Sequence, residues 1–543
     1  MTSGKRGAES VIKALQDGGV DTIFTLSGNH IMSLFDAAVG GPRLIHTRHE
    51  AAAVHMADAY GRLTGRPGIA MATGGPGHAN AVAGLYSAIA ADSPMVLLSG
   101  HAPTDELNLG AFQELDQAGL ARPVTKASWM VPTVDRLGPD IATALELAVS
   151  GRPGPVHVSL PSNLIDHAVD SEKAGSAPSA DGPTAAAPQI PDASAKSRVE
   201  AALAAAQRPL LVGGPSLSRG PRLKSLQAAA DRLGIPCVTM ESPRGLNDPS
   251  LGAFVEVLSQ ADLILLVAKP LDFTLRFGHP PFVDPACIIV TLEPDDVQRS
   301  RVADRGTHGI AVAADPDAAL DVLGTLEQGG GHAAGWRSEV DAAVAYRPPS
   351  WAELPPAPQG SVHPLAICRS VEKVLRAHPE TVLICDGGEV GQWIQTVLHA
   401  RRMTNSVSGA IGASLPFAIA SRVAEPDQPV IAVMGDGTVG FYLAEFDTAV
   451  RYGLPLIVIV GNDACWNAER QIQISDYGAD RAIGCDLLPT RYDLVCEAMG
   501  GKGLLVTNPA EMDDALAVAL KSGQPTCINV MLDGQAAPKI RRG

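Results

Sequence analysis

A chain of 543 residues that is 46% hydrophobic and 18% charged has apolar material for several buried cores, and at about 150 residues per domain it predicts three or four. Its net charge of −16 argues against a nucleic-acid partner, because phosphate backbones need a basic face. The start MTSGKRGAES lacks an apolar signal core, no run approaches the ~18 apolar residues of a membrane span, and the eight cysteines contain no C-x-x-C pair; reduced thiols in a cytoplasmic protein with no membrane partner are the expectation.

Residues 1–170 alternate helical and strand-like segments. The amphipathic stretch ESVIKALQDGG predicts a helix leading into strand DTIFTL, and IMSLFDAAVG a second leading into RLIHT and then His49-Glu50. Helix AAAVHMADAYGRL, strand GIAMAT, turn GGPGHAN, a further helix and strand PMVLLSG follow. Short apolar runs alternating with helical periods indicate a parallel sheet covered on both faces. Residues 171–195, rich in Ala, Ser, Pro and Gly without periodicity, read as a linker. A second α/β pattern occupies 196–328, with PLLVGG, RLKSLQAAADRLG, PCVTM, ADLILLVA and ACIIVTLEP. Residues 329–360, with GGGHAAG and RPPSWAELPPAPQG, read as a second linker, and 361–543 form a third α/β unit that closes with PTCINVML and a basic tail. The fold class is therefore α/β, with three consecutive doubly wound parallel-sheet domains.

The third unit holds the most informative stretch, GDGTVGFYLAEFDTAVRYGLPLIVIVGND, from Gly435 to Asp463. It reads as strand VIAVM, a turn carrying Asp436, an amphipathic helix, and strand LIVIV ending in Asn462-Asp463. Both strands of a parallel βαβ unit finish on the same sheet edge, which makes the acidic turns neighbours where such sheets bind ligands. Two oxygen side chains beside glycine-rich backbone suit Mg²⁺ holding a diphosphate. Adjacent residues leaving a strand point opposite ways, so only one of Asn462 and Asp463 serves as ligand. Strand alternation leaves open which of the two it is.

On these residues the chain resembles the thiamin-diphosphate-dependent enzymes, in the branch of acetolactate synthase, benzaldehyde lyase and 2-hydroxyacyl-CoA lyase. The resemblance covers nearly the whole chain and implies pyrimidine-binding, central and diphosphate-binding domains. It implies Mg²⁺ bound by Asp436, Asp463 and the carbonyl of Cys465, although the family normally has Asn where this chain has Asp463. RLIHTRHEAAAVHMADAYGR matches the motif of the glutamate that drives the cofactor's proton relay, giving Glu50. Thr73, Gly74, Gly75 and Asn80 match the pyrimidine-side turn. Gly435, Gly437 and Thr438 join Asp436 in the diphosphate turn, and Gly387, Gly388 and, lowest in rank, Glu389 match a second diphosphate loop. Ile411 matches the apolar wedge that bends the cofactor, and the carbonyl of Gly409 the acceptor for its exocyclic amine. His30 in LSGNHI and Gln113 in AFQELDQ match substrate-pocket positions, with roles at a substrate hydroxyl; Trp466 matches an aromatic just beyond the metal turn and is first of all a packing residue.

LAEFDTAVRYGLPLIVIV and the NDACW turn resemble benzaldehyde lyase and the 2-hydroxyacyl-CoA lyases. That implies cleavage and ligation of 2-hydroxy carbonyl compounds through an enolamine, with a 2-oxo acid decarboxylase or acetolactate synthase-like enzyme as the alternative. A non-catalytic α/β binding module is the reading from another class, and Glu50 with both acidic metal candidates argues against it. The central domain leaves FAD, an ADP or CoA moiety, or nothing as its ligand. Family members build their sites between subunits, which implies a homodimer or homotetramer.

Overall fold

The computed structural model describes residues 6–167, 184, 187–327 and 331–542. Three sheets follow one another, and every pairing within them is parallel. The first contains β1 (Thr22–Thr25), β2 (Arg43–His46), β3 (Gly68–Ala72), β4 (Met95–His101), β5 (Ala127–Met130) and β6 (Pro155–Pro161), in the order β2-β1-β3-β4-β6-β5. The second contains β7 (Pro209–Gly213), β8 (Cys237–Thr239), β9 (Leu263–Val267), β10 (Ile288–Leu292) and β11 (Gly309–Val312), in the order β11-β10-β9-β7-β8. The third contains β12 (Val382–Cys385), β13 (Arg402–Thr404), β14 (Val430–Gly435), β15 (Ile457–Asn462), β16 (Lys502–Val506) and β17 (Thr526–Met531), in the order β13-β12-β14-β15-β17-β16. By compactness the chain divides into two units: one holds the first sheet with residues 419–426 and 447–452, the other holds the second and third sheets.

The inner strands are buried along their whole length, as in β3, β4, β9, β12 and β15. That is why they read as continuous apolar runs: helices cover both faces, so no position alternates toward water. Their Val, Leu and Ile side chains contribute about 1.5–3 kcal/mol each on burial. Reversal of strand order leaves a crevice beyond the carboxyl ends of two strands, the usual ligand position in open α/β sheets. It lies between β1 and β3 in the first sheet and between β12 and β14 in the third.

The segment 329–360 differs from the expectation of a linker. Trp336–Ala345 is a helix whose Trp336, Val340 and Ala343 are buried in the core beside β9 and β10, and the Trp336 indole donates to the carbonyl of Pro209 at 2.8 Å. Likewise helix Ala193–Ala205 begins inside the first expected linker, capped by the Asp192 carboxylate on the Ala195 amide, 2.7 Å away; much of 171–195 lies outside the described residues. All eight cysteines are free thiols, and all but Cys237 are buried. No helix among the described residues is long and apolar enough to cross a membrane.

Candidate active site

The third sheet presents its chemistry at the ends of β12, β14 and β15. Gly435 pairs with Gly461 across β14 and β15, so the residues that follow them, Asp436 and Asn462-Asp463, emerge side by side. Asp436 is buried and accepts the Cys465 amide at 3.2 Å. Burial pushes its carboxyl up to about 6. Asp463 is pushed up to about 7, first by burial and then by the charge of Asp436.

Asn462 turns the other way. Its amide donates to the Thr490 carbonyl at 2.8 Å and to Asn529 Oδ1 at 3.2 Å, and its own oxygen accepts the Ala464 amide. Asp463, not Asn462, therefore lines the small open pocket bordered by Gly388, Gly435, Asp436, Thr438 and Cys465. Trp466 lies against Gly437, where a Cβ would meet its ring at 2.8 Å, and meets Phe441 edge-on at 6.3 Å. It packs the turn.

Three neighbouring residues shape the same crevice. Asp386, at the end of β12, is fully buried; its Oδ1 accepts the amides of Gly387 at 2.6 Å and Gly412 at 3.0 Å, and its Oδ2 accepts that of Ser414 at 3.3 Å. It ties the Gly387-Gly388 loop to the segment of Gly409 and Ile411. A Cβ on Gly387 would meet Ile411 Cγ2 at 2.5 Å, so the glycine lets the wedge residue close on the loop. Glu389 borders the same pocket, and its carboxylate accepts the Ala537 amide at 2.9 Å and the Gln392 side-chain amide at 3.1 Å, anchoring the C-terminal segment. Asp386 is a site residue that motif reading missed. Its signal was present, an acid closing an apolar strand just before Gly-Gly.

This donor set fits a divalent cation. Asp436 and Asp463 are adjacent carboxylates, the first buried and the second half-buried, and among the described residues neither forms an ion pair. Burying such charges without a counter-ion is costly, and a hard cation with oxygen ligands relieves that cost. No group of three or more His, Cys, Asp or Glu side chains among the described residues is placed to hold a metal. Two carboxylates and a backbone carbonyl leave the remaining positions to ligand oxygens and water, the habit of Mg²⁺ with phosphates.

The first sheet gathers its candidates around β1 and β3. His30 sits in the single 3₁₀ turn after β1, 5% exposed, with Nδ1 3.2 Å from Thr73 Oγ1 and its ring stacked on Phe112 at 5.9 Å. Burial lowers its pKa, which leaves the imidazole neutral at pH 7. Thr73, Gly74 and Gly75 follow β3. Gly75 has φ +58° and ψ −112°, and a Cβ there would meet Gln113 Cβ at 2.7 Å, so Gln113 lies directly on the turn.

Glu50 is the first residue of helix Glu50–Thr64, behind an N-cap in which the His49 ring accepts the Ala51 amide at 3.1 Å. The Glu50 carboxylate accepts from the Asn80 side chain at 3.1 Å, and it is half-buried in the single chain. A Cβ on Gly77 would touch both Thr73 and Glu50. His30, Glu50, Thr73, Gly74, Asn80 and Gln113 thus share one sheet edge, while Asp436, Asp463, Cys465, Gly387, Gly388 and Ile411 share another.

Comparison with known proteins agrees with this layout. Residues 5–120 match the family model described as "Thiamine pyrophosphate enzyme, N-terminal TPP binding domain", and residues 386–530 match "Thiamine pyrophosphate enzyme, C-terminal TPP binding domain". The chain is 31% identical over 539 residues to a "Probable acetolactate synthase" of Mycobacterium bovis, covering 97% of this chain and 96% of that one. It is 31% identical over 571 residues to "2-hydroxyacyl-CoA lyase 2" of Mus musculus, with 97% and 89% covered. It is also 30% identical over 557 residues to the "Acetolactate synthase large subunit" of Parasynechococcus marenigrum, with 96% and 87% covered.

Proposed function

The chain belongs to the thiamine pyrophosphate enzyme family, and from that premise we propose a Mg²⁺-dependent carbon–carbon lyase and carboligase acting on 2-hydroxy carbonyl substrates of the acyloin or 2-hydroxyacyl-CoA type. The observation that carries the reading is the pairing of His30, buried and neutral, with Gln113 beside the turn Thr73–Gly75. A neutral imidazole and an amide exchange and steady a hydroxyl proton. A 2-oxo acid instead asks for a cation to meet its carboxylate, and neither His30 nor Gln113 has an arginine or lysine partner among the described contacts. The second reading, an acetolactate synthase or 2-oxo acid decarboxylase, draws on the relatives of those names.

When bound, thiamin diphosphate supplies an acidic carbon and an electron sink for the bond next to the carbonyl. The chain supplies binding, orientation and proton transfer. Asp436, Asp463 and the carbonyl of Cys465 hold the cation, and Gly387, Gly388, Gly435, Gly437 and Thr438 let backbone approach the diphosphate. Ile411 provides the apolar support under the cofactor and the Gly409 carbonyl an acceptor. Glu50, steered by Asn80, holds a proton at its carboxyl for the pyrimidine ring. His30 and Gln113 handle the substrate hydroxyl. In this reading the working form is a homodimer or homotetramer in the cytoplasm.

The test is product analysis with benzoin, a 2-hydroxyacyl-CoA, pyruvate and oxalyl-CoA, with and without Mg²⁺ and thiamin diphosphate. Turnover of a 2-hydroxy carbonyl compound is the expected result; turnover of pyruvate alone installs the second reading.

A further inference from the structure

We propose that Gln117 is a positioning residue whose buried carboxamide holds the backbone under both His30 and Gln113. The inference rests on the reading of those two side chains as substrate-facing. Gln117 is 1% exposed. Its Oε1 accepts the Gly75 amide at 2.9 Å, and its Nε2 donates to the Gly100 carbonyl at 3.0 Å and to Ser159 Oγ at 3.0 Å. The partners settle which end is oxygen, since an amide N–H only donates and a carbonyl only accepts.

What Gln117 grips is the floor of the site. Gly75 lies under Gln113, where a Cβ would come within 2.7 Å of Gln113 Cβ and 2.8 Å of its carbonyl oxygen. Gly100 lies under His30, where a Cβ would come within 2.6 Å of His30 Cβ and 3.0 Å of its carbonyl. Gly74 closes the third side, with its Cβ position 2.8 Å from the Gly100 carbonyl and 3.2 Å from Gln117 Oε1. One amide therefore spans the turn after β3 and the end of β4 at the two points that carry the candidate side chains. Packing this close transmits a displacement rather than absorbing it.

Behind Gln117 the network stays neutral. Ser159 Oγ is 3.3 Å from His157 Nε2, His157 Nδ1 is 2.8 Å from Ser128 Oγ, and the His157 ring lies 4.5 Å from that of His78, whose Nδ1 meets Ser99 Oγ at 2.8 Å. A carboxylate introduced at position 117 keeps the Gly75 amide as a donor and faces the Gly100 carbonyl with no N–H to give it.

The test combines hydrogen exchange of the full-length protein, read at peptides covering 73–78 and 108–115, with kcat and thiamin diphosphate affinity in Mg²⁺. Gln117→Leu is expected to raise exchange in both peptides about tenfold, leaving β14 and β15 unchanged. It lowers kcat at least about tenfold through misplacement, and cofactor affinity falls by less than kcat does, because the third sheet's cation-holding residues are untouched. In a Gln113→Ala background the same change costs less in kcat than it does in the wild type, because the part of its effect that runs through Gln113 is already lost and the part that runs through His30 remains. Gln117→Glu keeps the shape and replaces the donor. Its ratio to wild type in exchange and in kcat recovers as pH falls from about 8 to about 5.5, where the carboxyl regains a proton.

Unchanged exchange in Gln117→Leu overturns the proposal, and so do losses that multiply with Gln113→Ala. If Gln117→Leu fails to fold, the Gln117→Glu ratio decides alone, and a flat ratio overturns it. Wild-type protein that turns over pyruvate alone strikes the proposed reaction and leaves the coupling to be measured with pyruvate. No turnover at all strikes that reaction while the exchange arm still decides the role of Gln117.

Discussion

The first and third sheets share one strand order and each carries its candidate residues beyond the carboxyl ends of its own central strands, yet the two edges have opposite character. Around β1 and β3 the groups are an imidazole, amides, hydroxyls and the single carboxylate of Glu50. Around β12, β14 and β15 they include the carboxylates of Asp386, Asp436 and Asp463, with backbone amides turned toward them. Topology decides where a ligand goes. The polar inventory at the strand ends decides whether that edge holds an anion through a metal or moves a proton.

The sharpest way to break this contrast is one substitution on each edge. Asp436→Ala is expected to weaken Mg²⁺-dependent thiamin diphosphate binding by at least about a hundredfold in isothermal titration. Glu50→Gln leaves that affinity within about twofold while lowering kcat and exchange of the cofactor's C2 proton by about a hundredfold or more. Equal effects of both on affinity erase the division of labour.

Next in size is Asp386→Ala, which strands the amides of Gly387, Gly412 and Ser414 and is expected to destabilise the protein by about 3 kcal/mol in urea unfolding. A loss no larger than that of an exposed aspartate contradicts the role given to it here.

Acid separates the edges further. Burial pulls His78 down to about 4 and His157 well below its ordinary 6.5, so both are neutral when folded and protonate on unfolding. The first sheet keeps its full stability above pH 6.5 and loses it as pH falls toward those folded values, with His78 contributing on the order of 3 kcal/mol. Asp386 is raised by burial, so the third sheet's contribution from it moves the other way and grows as pH falls. Amide exchange from pH 7 to pH 5 is expected to lose protection in β4 and β6 before β12. The smallest effect belongs to Trp466→Phe: loss of indole packing on Gly437 costs about 1 kcal/mol, and cofactor affinity changes by less than about twofold.

Much of this was legible along the chain because it is local. The strands are uninterrupted apolar runs, Glu50 opens a helix after its strand, and GDG with Asn462-Asp463 lies at two strand ends. The helix Trp336–Ala345 was hidden because its neighbourhood is full of Gly and Pro, and its stability comes from burying Trp336 and Val340 against another part of the chain. Gln117 was hidden for a related reason: beside Gln113 in AFQELDQ it looks like one more polar residue, and only its partners Gly75, Gly100 and Ser159 show what it does.

By itself the order of residues determined the α/β class, the family and the two acidic turns, since periodicity and short motifs act over a few residues. Tertiary structure alone decided that Asp463 rather than Asn462 faces the cavity, because the Asn462 amide is satisfied by Thr490 and Asn529 from later in the chain. It also made a brace of Gln117 and a clamp of Asp386. A buried polar group takes its role from whichever donors and acceptors the fold brings to it.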